Sequence, residues 1–170
     1  MQPTVTLQDA KTQVREHADE GTTCPCCGRY VRVYRRTITK SQVEFLVDLY
    51  YAARVHSRRI GVRVEELSID VRTIQGQHMR GGDYSKLAYW NLIRRSEEHQ
   101  GYWGITTLGI HFLRGITTVP RYAHVLDGEV QRFSTEMMTV DDARKEVFDL
   151  QRLLNQRELT TAPIGKAAHA

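Results

Sequence analysis

The amino-acid sequence predicts an α+β fold, and three observations carry that expectation. Val43, Leu46, Val47, Tyr50 and Ala53 step along residues 41–53 at helical spacing, the stripe of a core-facing helix. Residues 102–106, Tyr-Trp-Gly-Ile-Thr, are rich in the aromatic and β-branched side chains that pack well on a pleated surface. Asp127-Gly128 separates two alternating segments, and Asp-Gly supplies the two positive φ angles a tight hairpin turn needs.

At 170 residues with 41% apolar composition, the chain is long enough to bury a core as one domain with an appendage. No run of eighteen apolar residues occurs, so a membrane span is not expected. The first 21 residues lack the basic start and apolar centre of a secretory leader. Three cysteines crowded into positions 24–27 cannot make a disulfide framework, so a reducing, cytoplasmic compartment is expected. The net charge of +4 conceals an asymmetry. Between Cys24 and Arg63 nine basic residues face only Glu44 and Asp48, a local charge of +7 against −3 for the remainder. Such a zone is the footprint of a polyanion-binding surface, although a solvated helix face also carries arginines.

Taken in order, residues 1–23 read as a short helix or arm, with Val5, Leu7, Val14 and Ala18 weakly periodic. Residues 30–36 alternate and predict a strand that places Arg32 on one face with Tyr30 and Tyr34. Ser41-Gln42-Val43-Glu44 fits a capping box at the start of the following helix. Gly61 is its stop, and Arg54, His56, Arg58 and Arg59 near that end suit the negative pole of the helix dipole. Residues 64–67 are a candidate short helix. The stretch 81–115 then reads as helix, strand, turn, strand, helix. Leu87 and Trp90 share a face of a helix over 83–91, and Leu92-Ile93-Arg94 leads to a polar tip at 96–101. After the returning strand, Thr106 or Thr107 caps a helix carrying Leu108, His111, Phe112 and Leu113, which Gly115 ends. Beyond the hairpin, Thr139 caps a helix to about Arg157, with Ala143, Val147, Leu150 and Leu154 stepping 4-3-4. Fewer than three heptads favours packing on its own domain over a dimerisation seam. Residues 159–170 show no pattern and are expected to form a mobile tail.

Cys24-Pro25-Cys26-Cys27-Gly28 has the form of a zinc knuckle, in which two thiolates three apart grip one tetrahedral ion. A complete site needs two more ligands. Cys26, a histidine (His17 is nearest, then His56, His78 or His124) or the same cysteines of a two-fold partner could supply them. A structural zinc is therefore a candidate cofactor, beside the alternative of a metal-free turn with free thiols. No βαβ context supports a redox pair.

A helix, a two-stranded wing and a closing helix resemble the winged helix-turn-helix family, which mostly binds DNA. That resemblance implies a recognition helix at 83–91, with Ser85, Lys86 and Tyr89 facing away from the core, and with Arg80, Arg94 and Arg95 clamping the phosphate backbone. Two features oppose simple readout: Glu97 and Glu98 at the wing tip, and a recognition helix with one lysine and no arginine. From Cys24 to about Phe133 the chain also resembles a family of small phage and prophage proteins. They combine a CPCCG knuckle, a G-G-D-x-x-K-L-x-x-W-x-L-I segment, G-Y-W-x-[LI]-T-x-x-G and V-P-[RK]-Y, here at 24–28, 81–93, 101–109 and 119–122. Asn91 stands where those proteins often have glycine, and asparagine tolerates the left-handed backbone.

These readings divide the chain into an arm and knuckle strand (1–40), a winged-helix domain (41–118), a β-hairpin with C-terminal helix (119–158) and a tail (159–170). The leading function is a phage-derived, non-enzymatic regulator of transcription or replication. It would bind duplex DNA through Arg29, Arg32, Arg35, Arg36, Arg58 and Arg59 with the wing residues. The second, from a different class, is an adaptor or inhibitor gripping a host protein or nucleoprotein complex. A homodimer is compatible with either. No paired carboxylates, nucleophile motif or phosphate-cradling glycine loop points to an enzyme or a small-molecule substrate.

Overall fold

A computed structural model describes residues 5–74, 77–159 and 167–169. The first half contains α1 (Leu7–His17), β1 (Thr22–Thr23), β2 (Tyr30–Val31), β3 (Tyr34–Arg36), α2 (Lys40–Ile60) and β4 (Leu67–Asp70). After a helical segment at Gln77–Trp90 come β5 (Ile93–Arg95), β6 (Tyr102–Ile105), α3 (Thr107–Leu113) and β7 (Val119–Pro120). The chain closes with β8 (Ala123–Leu126), β9 (Glu129–Phe133), β10 (Met137–Met138), α4 (Val140–Arg144), α5 (Leu150–Leu159) and β11 (Ala167–His169). Helices and strands are mixed as α+β composition predicts. They form two compact units, one of Met1–Arg36 with Tyr122–Ser134, the other of Thr37–Arg121 with Thr135–Ala170.

In the first unit Thr6 caps α1, its hydroxyl accepting from the Asp9 amide while the Asp9 carboxylate accepts from the Thr6 amide. β1 and β2 pair antiparallel on either side of the cysteine turn. The strand predicted over 30–36 is broken: the Val33 amide leaves the ladder and donates to the Ala18 carbonyl at 2.7 Å. Tyr30 and Tyr34 thus belong to two different sheets, and Arg32 lies in the break. β3 pairs with β8, and β8 with β9, around the Asp127-Gly128 turn. Both turn residues have positive φ, 49° and 84°, as a type I′ turn demands. The hairpin therefore completes the N-terminal sheet, whereas its neighbourhood in sequence grouped it with the C-terminal helix.

The second unit is built on α2. Its cap is Thr39, reciprocated by Gln42, two residues ahead of the Ser41 and Glu44 box expected. The predicted stripe is buried, and so are Phe45, Leu49 and Ala52, which makes α2 a central helix rather than an amphipathic cover. Gly61 ends it at φ 72°, donating to the Ser57 carbonyl at 2.8 Å. Against α2 lie the segment Gln77–Trp90, the strands β4 and β6, and helices α3, α4 and α5. The sheet runs β11-β4-β6-β5, every pair antiparallel. Residues 167–169 thus form a strand edge where a mobile tail was expected. Residues 160–166 and 170 of that stretch lie outside the described residues.

The predicted α-helix over 83–91 is wound instead in 3-10 turns. Its inward side chains explain why. Tyr84, Leu87 and Trp90 recur every three residues, and side chains three apart eclipse in a 3-10 helix. Leu87 and Trp90 are buried, the Tyr84 ring stacks on Phe45 at 4.5 Å, and Trp90 Nε1 donates to the Pro120 carbonyl at 2.6 Å. Gly82, at φ 68°, interrupts the winding. Asn91 turns the chain into β5 at φ 56°, the left-handed conformation anticipated for it. The helix predicted from Thr139 to Arg157 is also divided. Thr139 caps α4 as expected, but Lys145 turns left-handed and the Asp141 carboxylate accepts from the Phe148 amide, opening the helix. Val147 is consequently 90% exposed, outside any stripe. Among the described residues no helix is long and apolar enough to cross a membrane.

Thr106 caps α3 by accepting from the Gly109 amide at 3.0 Å, which brings Gly109 against the Leu92 carbonyl. A Cβ at Gly109 would lie 2.2 Å from that oxygen, and a backbone oxygen cannot swing aside. Gly109→Ala is therefore expected to lower stability by about 2 kcal/mol or more in urea denaturation. A loss below about 0.5 kcal/mol would show that α3 does not pack so closely.

Candidate nucleic-acid interface

Of the residues assigned to phosphate contact, Arg29, Arg32, Arg35 and Arg36 belong to the first unit, and Arg29 and Arg32 line a groove of about 430 Å³ there. One wall is α1, whose one-turn spacings align Leu7 with Lys11 and Lys11 with Arg15. The other walls are the cysteine turn with Arg29, the aromatic pair Tyr30 and Tyr34 with Arg32 between them, and the hairpin tip with Asp127 and Glu129. Lys11 and Arg15 were not singled out from the sequence, although their i,i+4 spacing beside Leu7 and Val14 was a readable signal.

The electrostatics of the two units differ. In the first, Lys11, Arg15, Arg29, Arg32, Arg35 and Arg36 form no ion pair among the described residues; Arg132 alone is matched, with Asp19 at 2.7 Å. That pair holds the Asp19 carboxyl below its ordinary range, chiefly through the hydrogen bond from Arg132. Arg35 lies over the Tyr122 ring at 4.4 Å and Arg36 over Tyr34 at 5.2 Å, contacts that orient a guanidinium without neutralising it. In the second unit, by contrast, Lys40, Arg58, Arg63, Arg72, Lys86, Arg121, Arg144 and Arg157 each sit beside a carboxylate.

The residues expected to form a recognition helix and wing are largely engaged within the fold. Ser85 donates to the Gly82 carbonyl at 2.9 Å, Lys86 pairs with Asp83, and Tyr89 is half-buried beside Trp90. Arg94 is not the phosphate clamp expected. Its guanidinium crosses Gly104 to reach the far strand, donating to the carbonyls of Glu65 (3.1 Å) and Leu67 (3.4 Å) and to the Ser68 hydroxyl (3.3 Å). A Cβ at Gly104 would lie 3.0 Å from the Arg94 Cζ, so the glycine is what lets it pass. Arg95 is exposed but shares the wing tip with Glu97 and Glu98. Arg58 and Arg59, at the end of α2, belong to the second unit, Arg58 paired with Glu158 at 3.6 Å. The side chain of Arg80 lies outside the described residues.

The cysteine turn closes through Gly28 N–H to the Cys24 carbonyl (2.9 Å) and Cys24 N–H to the Arg29 carbonyl (2.8 Å). Backbone amides of Cys27 and Cys26 donate to the Cys24 sulfur and hold its thiol below the ordinary cysteine range. That is the amide-to-sulfur arrangement of a metal knuckle, and Cys24 with Cys27 would supply two of four zinc ligands. The remaining half does not assemble. Among the described residues no group of three or more His, Cys, Asp or Glu is placed to hold one ion, and the His17 ring is bonded to the Gln13 carbonyl at 2.9 Å. Among the described residues, Cys24 and Cys27 thus fit half of a tetrahedral site. His78 lies outside the described side chains.

Set against protein-family models, curated proteins and solved structures, the chain matches none of them.

Because the amides stabilise the thiolate, Cys24 is expected to react with iodoacetamide at lower pH than a free cysteine does. In chelator-treated protein, labelling read by mass spectrometry should reach its midpoint at a lower pH at Cys24 than in a free model thiol. A Cys24 midpoint at or above that of a model thiol would remove the amide contacts.

Proposed function

We propose that this protein binds DNA through its phosphate backbone, using the unpaired cations of the first unit, and regulates transcription or replication. The observation that carries the reading is the concentration, on one small unit, of six basic side chains with no carboxylate partner among the described residues. Unmatched cations repel one another, and an added polyanion relieves that repulsion while releasing its own counterions. A winged-helix assignment is supported by the order of helix α2, strand β4, the helical segment and the two-stranded wing β5–β6, with β4 pairing to β6. In this reading the wing unit is a scaffold, because Ser85, Lys86 and Arg94 are committed to internal partners.

A protein-binding role for the second unit is the other reading. It is favoured by the acidic wing tip and by Ile116 and Val147, exposed at 64% and 90%. Retention of a host partner after nuclease treatment, in a pull-down that Val147→Asp abolishes, is its expected signature.

The DNA reading is tested by mobility shift with a short duplex at 50 and 200 mM salt. Six phosphate contacts should weaken binding by about a thousandfold over that range. Changing Arg29, Arg32, Arg35 and Arg36 to Glu should abolish the shift at both salts. Absence of binding by the unaltered protein to both the duplex and its single strand at 50 mM salt would end the proposal, and an undiminished shift by the variant would remove these arginines from it.

A further inference from the structure

We infer that the groove of the first unit takes unpaired nucleotides, so that the protein holds single-stranded DNA more tightly than duplex. The inference rests on the DNA-binding reading above and names the form of nucleic acid that the groove fits. Phosphate attraction alone does not distinguish one strand from two. Three features of the groove do.

The first is its aromatic content. Tyr30 and Tyr34 line the groove and are 57% and 50% exposed, although burial of such rings is ordinarily favourable. A duplex keeps its base faces inside the stack and offers these rings nothing to lie against. An unpaired base presents a π-face to each. The second is that the rings are held in place. The phenol end of Tyr30 rests on Gly21, where a Cβ would come within 1.9 Å of the phenolic oxygen, and Arg36 covers Tyr34. A located ring loses little further freedom when a base stacks on it.

The third is the mixture of charges. Lys11, Arg15, Arg29 and Arg32 are suited to phosphates, yet Asp127 and Glu129 line the same groove and would repel the backbone of a duplex lying across it. Carboxylates are acceptors for the exocyclic amines of cytosine, adenine and guanine, and in an unpaired base those edges are free. The same two acids therefore oppose a duplex and suit splayed bases. Cations, flat rings and acceptors around one concave surface make up a single-strand site.

The test compares a fluorescein-labelled mixed-sequence single strand with the same strand in a blunt duplex, by anisotropy at one fixed salt concentration. The single strand is expected to bind about tenfold more tightly, the scale of stacking on one or two aromatic rings. Tyr30→Leu with Tyr34→Leu should remove that difference and leave duplex affinity within about twofold, whereas Tyr30→Phe with Tyr34→Phe, which keeps both rings, should preserve it. Equal affinity for both forms, or a single-strand preference untouched by the leucine pair, would overturn the inference while the DNA-binding reading stands. Binding of neither form overturns both. A glutamate-rich peptide that binds with the same tyrosine dependence, where oligonucleotides do not, would assign the groove to a protein ligand and overturn it as well.

Discussion

Burial of α2 on nearly all sides is the constraint on which the second unit depends. Val43, Phe45, Leu46, Val47 and Leu49 are completely removed from solvent, and each such side chain contributes roughly 1.5–3 kcal/mol of transfer free energy. A helix covered on one face could be served by the sheet alone. One covered on several needs the sheet, the 3-10 segment and the C-terminal helices together, and these are the elements found against it. The division of the C-terminal helix follows from the same demand. A straight helix from Thr139 to Arg157 would carry Ala143 and Leu154 on one continuous stripe. The break at Lys145 separates α4 from α5, and both Ala143 and Leu154 are buried.

The segment before β5 shows how a small change of period alters which side chains are committed to the core. With inward residues at 84, 87 and 90, the repeat is three rather than 3.6, and the chain follows the tighter winding. Tightening draws Tyr84 onto Phe45 and within 6.0 Å of Trp103, and leaves Ser85 and Lys86 bonded to neighbours in their own turn. A segment committed in this way serves the core better than it serves a groove in DNA. Arg94 makes the same point in the sheet. A basic residue on β5 suggests a phosphate contact, but the missing side chain at Gly104 opens a path inward, and three acceptors on the far side complete it.

What was legible in the sequence was what local chemistry decides. The α2 stripe, the Gly61 stop, the Thr106 and Thr139 caps, the strands β5 and β6 and the Asp127-Gly128 turn all depend on residues within a few positions of one another. What was not legible depends on distant partners. The Val33 amide turning to Ala18, the hairpin joining the strand at Tyr34–Arg36, and residues 167–169 adding to the edge of β4 are pairings across the chain that no periodicity reports. The candidate site divides along the same line. Arg29, Arg32, Arg35 and Arg36 were readable as a basic run. That Arg29 and Arg32 share a groove with Lys11 and Arg15 follows only from the way α1 folds back over the cysteine turn.

The contrast in charge between the units is itself informative about where function lies. In the second unit Arg72 closes on the buried Asp70 carboxylate at 2.8 Å, and Arg157 lies 2.5 Å from Asp48. Both units hold carboxylates, so supply is not what leaves the cations of the first unmatched. Asp9 caps α1 and Asp19 takes Arg132, while Glu16 and Glu20 stand on the surface without closing on Arg29, Arg32, Arg35 or Arg36. Exposed ion pairs add little stability, so their absence costs the fold little. Among the described residues it leaves the guanidinium groups of Arg29, Arg32, Arg35 and Arg36 without a carboxylate. Under the proposed reading, the unpaired cations of the first unit would be its contribution to binding, and the second unit would hold the fold.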